Sequence, residues 1–425
     1  MTVTREKHHA FPRFNDRVLP LTIAALLASA AISTAQAGAL KFPEKPYTLA
    51  HVSQPDTGVN SDAEVRQALA QPKIEVVFVL DTTGSMSGLI NAAKEKIWSI
   101  ASTMAQAKTA PEIKMGLVGY RDRGDQYVTK LTDLSSDLDS MYAKLMDFRA
   151  AGGGDGPESV NQALYEAVHK MSWSQNEEVY KVVFLVGDAP AHMDYQDDVK
   201  YPETIHIAGH KGIVINAIQS GNNRAATKNW QRIASLGQGS YFQVEQSGSA
   251  VAIATPYDDE LAELSGRMDR TRIYYGTAQE KMKQEAKVAA SGKLYKEASK
   301  ASQARRAAFN ASVSGKNNFL GDKELVAEIA SGEVELESVA ADELPAVMQV
   351  MKPEDRQSYI EEKAAEREKL HSEIQALAKK RDAYLKQKVE AAGMDEDSLD
   401  AKIFDAIRKQ SADKGLVYDK KDMKY

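Results

Sequence analysis

The chain has 425 residues, which is enough for two or three domains. Hydrophobic residues make up 43% of it and charged residues 27%, an ordinary globular composition that excludes a largely disordered protein. The formal net charge of −6 gives no electrostatic support for a nucleic-acid partner. Because the sequence contains no cysteine, disulfides, thiolate metal sites and a lipid-anchored cysteine are excluded.

The N-terminus has the pattern of a secretory signal peptide over residues 1–37. Arg13 and Arg17 precede an apolar run over residues 18–32, and the small-residue pattern Ala35-Gln36-Ala37 predicts cleavage after Ala37. An uncleaved anchor helix is the alternative, but the run is shorter than the about 20 residues that a bilayer span needs. No other segment is apolar enough to cross a membrane. We therefore expect a periplasmic or secreted protein of bacterial type, with no transmembrane segment in its mature chain.

Residues 38–71 are polar and rich in proline, which predicts an extended leader. From residue 72, apolar runs that predict strands alternate with segments whose apolar residues have helical spacing. The predicted strands are Ile74–Leu80, Ile113–Tyr120, Tyr127–Leu131, Val182–Val186, Ile213–Ile218 and Ser240–Val244. The predicted helices are Leu89–Met104, Leu138–Phe148, Ser159–Met171, Pro202–His210 and Ala225–Leu236. The alternation predicts an α/β domain over residues 72–256, with a doubly wound, mostly parallel six-stranded sheet covered by helices on both faces.

A composition dominated by Ala, Lys, Glu and Gln predicts an all-α region over residues 257–425. The predicted features are a helix over Ala278–Ala311 interrupted at Ser291-Gly292, a loop over Gly315–Asp322, helix starts at Pro345 and Pro353, and a helix over Pro353–Ala391 ended by Gly393. In that last helix, Arg367, Arg381 and Lys388 interrupt the apolar seam, which argues against a long free coiled coil. We therefore expect it to pack against the chain's own helices.

The carboxyl end of the first predicted strand carries the candidate site. Asp81, Thr83 and Ser85 offer a carboxylate and two hydroxyls at alternate positions. Such hard oxygen donors suit Mg²⁺, Mn²⁺ or Ca²⁺. Asp188 follows the fourth strand, and ligands bind beyond the carboxyl ends of parallel strands. With Asp155 from a glycine-rich loop as a further ligand, the sequence predicts one divalent-cation site, with Mg²⁺ as the expected ion and no other cofactor.

The motif Asp81-x-Thr83-x-Ser85, together with Gly84 and Met86, resembles the metal-ion-dependent adhesion site of von Willebrand factor type A domains. In that family the motif Asp-x-Ser-x-Ser ends the first strand. The resemblance implies a Rossmann-like fold with an antiparallel third strand, and a site completed by a threonine from a later loop and an aspartate after the fourth strand, here Asp188. The strings GGGDGPES and GDAPAH resemble a bacterial exported subgroup, and the C-terminal half resembles the helical tails of that subgroup.

Two positions depart from the family pattern. Thr83 stands where the family usually has serine, and Asp155 falls where a threonine is expected. With Asp155 bound, three carboxylates would surround one dication and neutralise it. One extra unit-charge contact at about 4 Å is worth about 4 kcal/mol at an effective dielectric constant of about 20. We therefore expect Asp155 to weaken the capture of an acidic residue from a partner and to shift the metal toward a structural clamp.

Simpler interpretations stay open for the same residues. Asp81, Thr83 or Ser85 can cap the helix that follows, and Asp188 can be a turn residue. The segment Asp155–Glu158 also fits a capping box. The glycine run resembles a phosphate-binding loop, but no Gly-Lys-Ser/Thr follows it, which argues against nucleotide binding.

Other polar residues are weaker candidates. His192, four residues after Asp188, can act as a base or simply pack in its loop. His206 and His210 have the spacing of a zinc-binding pair, but no third ligand lies nearby in sequence, which favours ordinary surface or core histidines. The segment Arg121–Asp125 is interpreted as a charged loop.

Three functions follow from these patterns. We expect a non-enzymatic binding module that holds a protein partner through the cation, with the helical tail as a second docking or assembly surface. One alternative is a structural envelope protein, in which the metal only clamps loops and the tail oligomerises. The other is a metal-dependent hydrolase, for which His192 is the evident general base.

Overall fold

The computed structural model describes residues 71–154, 156–244, 253–391 and 399–419. The signal peptide, the leader up to residue 70, Asp155 and Gly393 lie outside the described residues. Within the described ranges, no helix is both long enough and apolar enough to cross a membrane.

A six-stranded sheet forms the centre of the N-terminal half, as far as the structure describes it. The strand order is β3-β2-β1-β4-β5-β6, with β3 antiparallel to β2 and all other pairs parallel. The strands are β1 Lys73–Asp81, β2 Glu112–Tyr120, β3 Thr129–Ser135, β4 Tyr180–Gly187, β5 Ile213–Ser220 and β6 Gln238–Val244. The predicted doubly wound, mostly parallel sheet is confirmed.

The third strand lies later in the chain than predicted, at Thr129–Ser135 rather than Tyr127–Leu131. It is an edge strand, and its residues are mostly polar and only partly buried. The strand therefore has no apolar run by which the sequence could locate it, and its extent is set by its backbone hydrogen bonds to β2.

Helices cover both faces of the sheet, as predicted. They are α1 Ile90–Met104, α2 Leu138–Asp147, α3 Val160–His169, α4 Tyr201–His210 and α5 Arg224–Leu236. Side chains of β1 alternate between two cores: Phe78 and Leu80 pack with α1 and α2, whereas Val77 and Val79 pack with α3, α4 and α5. Burying such a side chain stabilises the fold by about 1.5–3 kcal/mol, which explains why β1 is apolar on both faces.

The C-terminal region is helical, as predicted. Its helices are α6 Asp258–Asp269, α7 Ala278–Glu297, α8 Lys300–Asn310, α9 Lys316–Leu320, α10 Leu325–Ser331, α11 Ala346–Gln349, α12 Pro353–Ala391 and α13 Leu399–Gln410.

Short 3₁₀ turns lie in both halves of the chain, at Gly84–Gly88, Leu336–Ser338 and Ala412–Lys414.

Two details of this region differ from the prediction. The helix does not break at Ser291-Gly292: α7 continues through both residues, and Ser291 is buried. The break falls instead before α8, where Ser299 caps the new helix by accepting the N–H of Ser302 at 3.0 Å. The predicted loop over 315–322 contains the short helix α9. Gly292 lies inside α7, where a glycine costs only about 1 kcal/mol, and the packing of the helix outweighs this cost.

The C-terminal helices share a core with the sheet. Ile403, Phe404 and Ile407 of α13 belong to the same apolar cluster as Phe78 of β1. They cover the side of the sheet that carries α1 and α2.

The long helix α12 packs on the chain's own helices, as predicted. Two of the residues that interrupt its apolar seam form salt bridges there: Arg367 with Glu324, and Arg381 with Asp258. The seam therefore carries charges whose partners lie inside the same chain.

Candidate metal centre at the carboxyl edge of the sheet

The two predicted aspartates lie on neighbouring strands. Asp81 is the last residue of β1, and Asp188 directly follows β4, which pairs in parallel with β1 up to Leu80 and Val186. The strand order reverses between β1 and β4, since β2 and β3 lie on one side and β5 and β6 on the other. Ligand sites of doubly wound sheets occur at such a position.

A chain of oxygen contacts links these aspartates to the two hydroxyl residues. Asp81 Oδ1 accepts the backbone N–H of Thr83 at 2.8 Å and its hydroxyl at 2.6 Å. Ser85 Oγ donates to Asp188 Oδ1 at 2.9 Å. The structure thus brings together Asp81, Thr83, Ser85 and Asp188, while Asp155 lies outside the described residues.

The hydroxyl oxygens of Thr83 and Ser85 lie within hydrogen-bond distance of each other. They lie 3.1 Å apart, and a hydroxyl has only one proton to donate. The Thr83 hydroxyl also reaches Asp81 and the Ser85 hydroxyl also reaches Asp188, and either hydroxyl can be the donor in the contact between them. Two hydroxyl oxygens beside two carboxylates are hard donors that fit a cation such as Mg²⁺.

Burial makes the charge at Asp81 costly. The side chain is fully buried, and its Oδ2 accepts no hydrogen bond from the described residues. Burial, together with the charge of Asp188, raises the pKa of Asp81 to about 7, against the hydrogen bonds from Thr83. Burial also raises the pKa of Asp188. A bound dication would compensate these carboxylates, so the residues present fit the predicted metal.

The turn after β1 that carries Thr83, Gly84 and Ser85, here called the motif turn, packs tightly against the glycine-rich loop that contains Gly152 and Gly153. Gly84 donates its N–H to the carbonyl of Gly152 at 3.0 Å, and a Cβ on Gly84 would lie 2.9 Å from that oxygen. Gly152 and Gly153 have φ values of +77° and +72°, which favour glycine. Asp125 Oδ2 accepts the N–H of Gly153 at 2.9 Å and so holds the loop in place.

An open cleft of about 510 Å³ gives access to the site. Its lining comes from the motif turn, the glycine loop, the segment after β4 and the segment after β5: Gly84, Ser85, Gly152, Gly153, Gly154, Gly156, Glu158, Asp188, Ala189, Ser220, Gly221, Asn222 and Asn223. The cleft is polar and wide enough to admit a side chain of another protein.

Glu158 is a functional candidate that the sequence analysis missed. It lines the cleft, is almost fully buried, and its Oε2 has no hydrogen-bond partner among the described residues. Burial raises the pKa of Glu158 to about 9, with further contributions from Asp81, Asp122, Asp125 and Asp188.

The predicted capping box is wrong at Glu158. Helix α3 begins at Val160 with Ser159 as its N-cap residue, and the backbone of Glu158 bonds instead to Pro190 and His192. The only sequence signal for a functional role of Glu158 is an acidic residue after a run of glycines, and the same pattern also fits a helix N-cap.

The capping alternative for the motif is also wrong. Thr83 precedes the 3₁₀ turn without a side-chain cap bond, and Leu89 occupies the N-cap position of α1. Asp81 instead holds Thr83, and Ser85 reaches Asp188. The metal-ligand roles of these residues stay a prediction. The described residues contain no group of three or more His, Cys, Asp or Glu side chains arranged for a metal.

The charged segment after β2 is a loop, as predicted, and its first two side chains support the site from below the surface. Arg121 and Asp122 are both buried. The Arg121 guanidinium donates to the carbonyls of Thr82 at 3.1 Å and Arg149 at 2.8 Å, which braces the motif turn. Asp122 accepts the hydroxyl of Ser159 at 2.8 Å.

His192 is buried beside the cleft and engaged with acids. Its Nδ1 lies 2.8 Å from Asp194 Oδ1, and its Nε2 lies 3.4 Å from Asp122 Oδ2. Its ring stacks on Tyr195 with centroids 4.0 Å apart. These contacts fit a packed loop histidine.

Comparison with known proteins points to one domain family. A family model described as a von Willebrand factor A domain matches residues 75–256. A von Willebrand factor A domain is therefore supported for this segment. In this VWA domain, Asp81 and Asp188 are the two acids that the sequence motif predicted at the carboxyl edge.

The curated relatives match a short part of the chain. The rat von Willebrand factor A domain-containing protein 7 is 40% identical over 93 residues, 22% of this chain and 10% of that protein. The alpha-protein kinase vwkA of Dictyostelium discoideum is 28% identical over 120 residues, 28% of this chain and 19% of the kinase. The chain thus spans a fifth or less of the length of these relatives.

Among solved structures, a von Willebrand factor type A protein from Catenulispora acidiphila is 16% identical, with a TM-score of 0.33. The match covers 43% of this chain and 40% of that one.

Proposed function

We propose that this VWA domain binds a protein partner at the cleft through a divalent cation held by Asp81, Thr83, Ser85, Asp155 and Asp188. The observation that carries the proposal is the convergence of four side-chain oxygens from the ends of two neighbouring strands. Bound there, the cation would supply a positive charge that oxygen donors of a partner could contact. Mg²⁺ is the expected ion, with Mn²⁺ and Ca²⁺ as alternatives.

The charge balance at the cation is set by its ligands, because the pKa of Glu158, raised to about 9, keeps that side chain uncharged near neutral pH. With Asp81, Asp155 and Asp188 as ligands, three carboxylates neutralise a dication, and Glu158 lies in the same cleft. An acidic group of the partner then meets a weakened positive field. We therefore favour a partner that contributes neutral oxygen donors, such as hydroxyl or amide groups, over one that relies on a carboxylate alone.

Calorimetric titration tests the metal first. Mg²⁺ and Mn²⁺ are titrated into wild type, Asp81→Ala and Asp188→Ala, with Glu178→Ala as a control because Glu178 is an exposed acid away from the cleft. We expect the two site variants to lose binding and the control to retain it. Metal binding that is unchanged in Asp81→Ala would refute the proposed metal site.

Capture of a partner tests the function itself. Crosslinking in intact cells and pull-down from periplasmic extract, with and without EDTA, should identify a partner that requires both the metal and Asp81. Capture that is unchanged by EDTA and by Asp81→Ala would mean that the partner does not bind through the metal. That outcome favours the structural alternative, in which the metal only clamps loops. In that case the helical tail becomes the assembly surface, and size-exclusion of the full chain over a range of protein concentrations measures whether it oligomerises.

Export is proposed from the N-terminal sequence. We expect the mature protein to begin at Gly38, after cleavage behind Ala37, and to fractionate with the periplasm or the medium. N-terminal sequencing of the protein from each fraction checks this. A full-length N-terminus in the membrane fraction would instead favour the anchor helix.

A further inference from the structure

Helix α4 carries two exposed histidines that no part of the proposed function uses. His206 and His210 lie one helical turn apart, and both are exposed. The opposite side of the helix is buried, with Tyr201, Ile205 and Ala208 facing the core. The pair therefore stands on a rigid element whose fold does not depend on it.

The geometry of the pair is that of a chelate. The two Nε2 atoms lie 3.2 Å apart, and the rings meet edge to face at 87° with centroids 4.6 Å apart. Nitrogens bound to one Zn²⁺ or Cu²⁺ each lie about 2.0–2.1 Å from the metal. At the observed separation, such bonds enclose an angle of about 100°, between the square-planar and tetrahedral values.

We propose that His206 and His210 bind a borderline transition-metal ion, Cu²⁺, Zn²⁺ or Ni²⁺, through their two Nε2 atoms. The cation takes the place of the proton that the two nitrogens share, and each ring then carries its proton on Nδ1. Imidazole nitrogen prefers these ions to Mg²⁺ or Ca²⁺. The site is therefore chemically distinct from the oxygen site at the carboxyl edge of the sheet.

Water completes the coordination of this ion. Glu203, also exposed, lies three residues before His206, but in the part of the chain that the structure describes no third ligand residue is grouped with the pair. Two protein ligands leave the remaining coordination positions to water, unlike the four protein ligands of a closed structural site.

Electron paramagnetic resonance with Cu²⁺ tests the proposal on the full chain. The protein is first saturated with Mg²⁺, so that the oxygen site is filled, and one equivalent of Cu²⁺ is added. We expect hyperfine coupling from two equatorial imidazole nitrogens. His206→Ala and His210→Ala should each leave one coupled nitrogen and raise the apparent Kd at least about tenfold, because the second nitrogen binds intramolecularly.

A matched control separates this pair from other histidines. His169 lies near the end of α3, and its Nδ1 is 2.9 Å from the carbonyl of Tyr165, so His169→Ala should leave the spectrum and the Kd unchanged. Circular dichroism confirms that each variant is folded. A two-nitrogen signal that survives in both α4 variants, or no copper signal in wild type, overturns the proposal.

Discussion

Ser85 donates its hydroxyl proton to Asp188 at 2.9 Å, although 103 residues separate them in the chain. The bond joins the turn after β1 to the residue after β4. Because the two strands are parallel neighbours, the sheet itself brings donor and acceptor together. The site therefore depends on the sheet register as well as on the motif residues.

The charge at Asp81 should govern how the protein responds to Mg²⁺. In EDTA at mildly alkaline pH, we expect Asp81→Asn to raise the free energy of unfolding by about 1–3 kcal/mol, since the amide removes a buried charge beside Asp188. Saturating Mg²⁺ should stabilise wild type and not the variant, because a ligand of the folded state shifts the unfolding equilibrium. Urea unfolding in the two buffers measures both effects. An equal stabilisation of wild type and Asp81→Asn by Mg²⁺ would exclude Asp81 as a ligand.

A methyl group on Gly84 should disrupt the metal site. The new Cβ would lie 2.9 Å from the carbonyl oxygen of Gly152, so the turn or the glycine loop must move. We expect Gly84→Ala to lose about 1–3 kcal/mol of stability and to weaken Mg²⁺ binding. Gly88→Ala is the matched control, because a Cβ at Gly88 meets open space. Thermal melts and calorimetry compare them, and similar behaviour of the two variants would contradict the close approach.

A buried ion pair should tie the helical region to the VWA domain. Arg306 of α8 binds Asp139 of α2, with Nε 2.7 Å from Oδ1, and both side chains are buried. We expect Arg306→Met to cost about 3–5 kcal/mol, because it leaves a buried charge unpaired. Lys293→Met removes a more exposed pair with Asp147 and should cost less than about 1 kcal/mol. Urea unfolding that ranks the two variants equally would refute the bridge.

The same pair predicts a loss of stability in acid. Burial alone would raise the pKa of Asp139, but the charge and hydrogen bonds of Arg306 outweigh it and hold the pKa well below the ordinary carboxyl value. Asp139 therefore contributes stability above about pH 4 and loses it as the pH falls through the lower, folded-state pKa. We expect Asp139→Asn to flatten this part of the stability curve, whereas Asp147→Asn should not. A curve of unchanged slope in Asp139→Asn would contradict the assignment.

The VWA segment should be incomplete without the helices that follow it. A fragment over residues 72–256 lacks Phe309, Ile403 and Phe404, which pack into the same cluster as β1. We expect this fragment to bind the dye ANS and to unfold at a lower temperature than a 72–425 fragment, because apolar surface is exposed. A cooperative melt at the same temperature without dye binding would instead support 72–256 as an independent domain.

The sequence by itself determined the buried strands, most helices of the fold and the residues of the motif. Runs such as Val76–Val79 are apolar on both faces only when a strand is buried on both sides, and Asp81, Thr83 and Ser85 carry a recognisable spacing. These are local signals, since each depends on neighbours a few residues apart.

Tertiary structure alone decided which distant groups meet. The edge strand β3 has little apolar signal, and the orientation of Glu158 depends on its backbone bonds to Pro190 and His192. The pairing of Arg306 with Asp139 likewise has no local pattern. Such contacts arise from the register of the sheet and the packing of helices, where the energy depends on residues far apart in the chain.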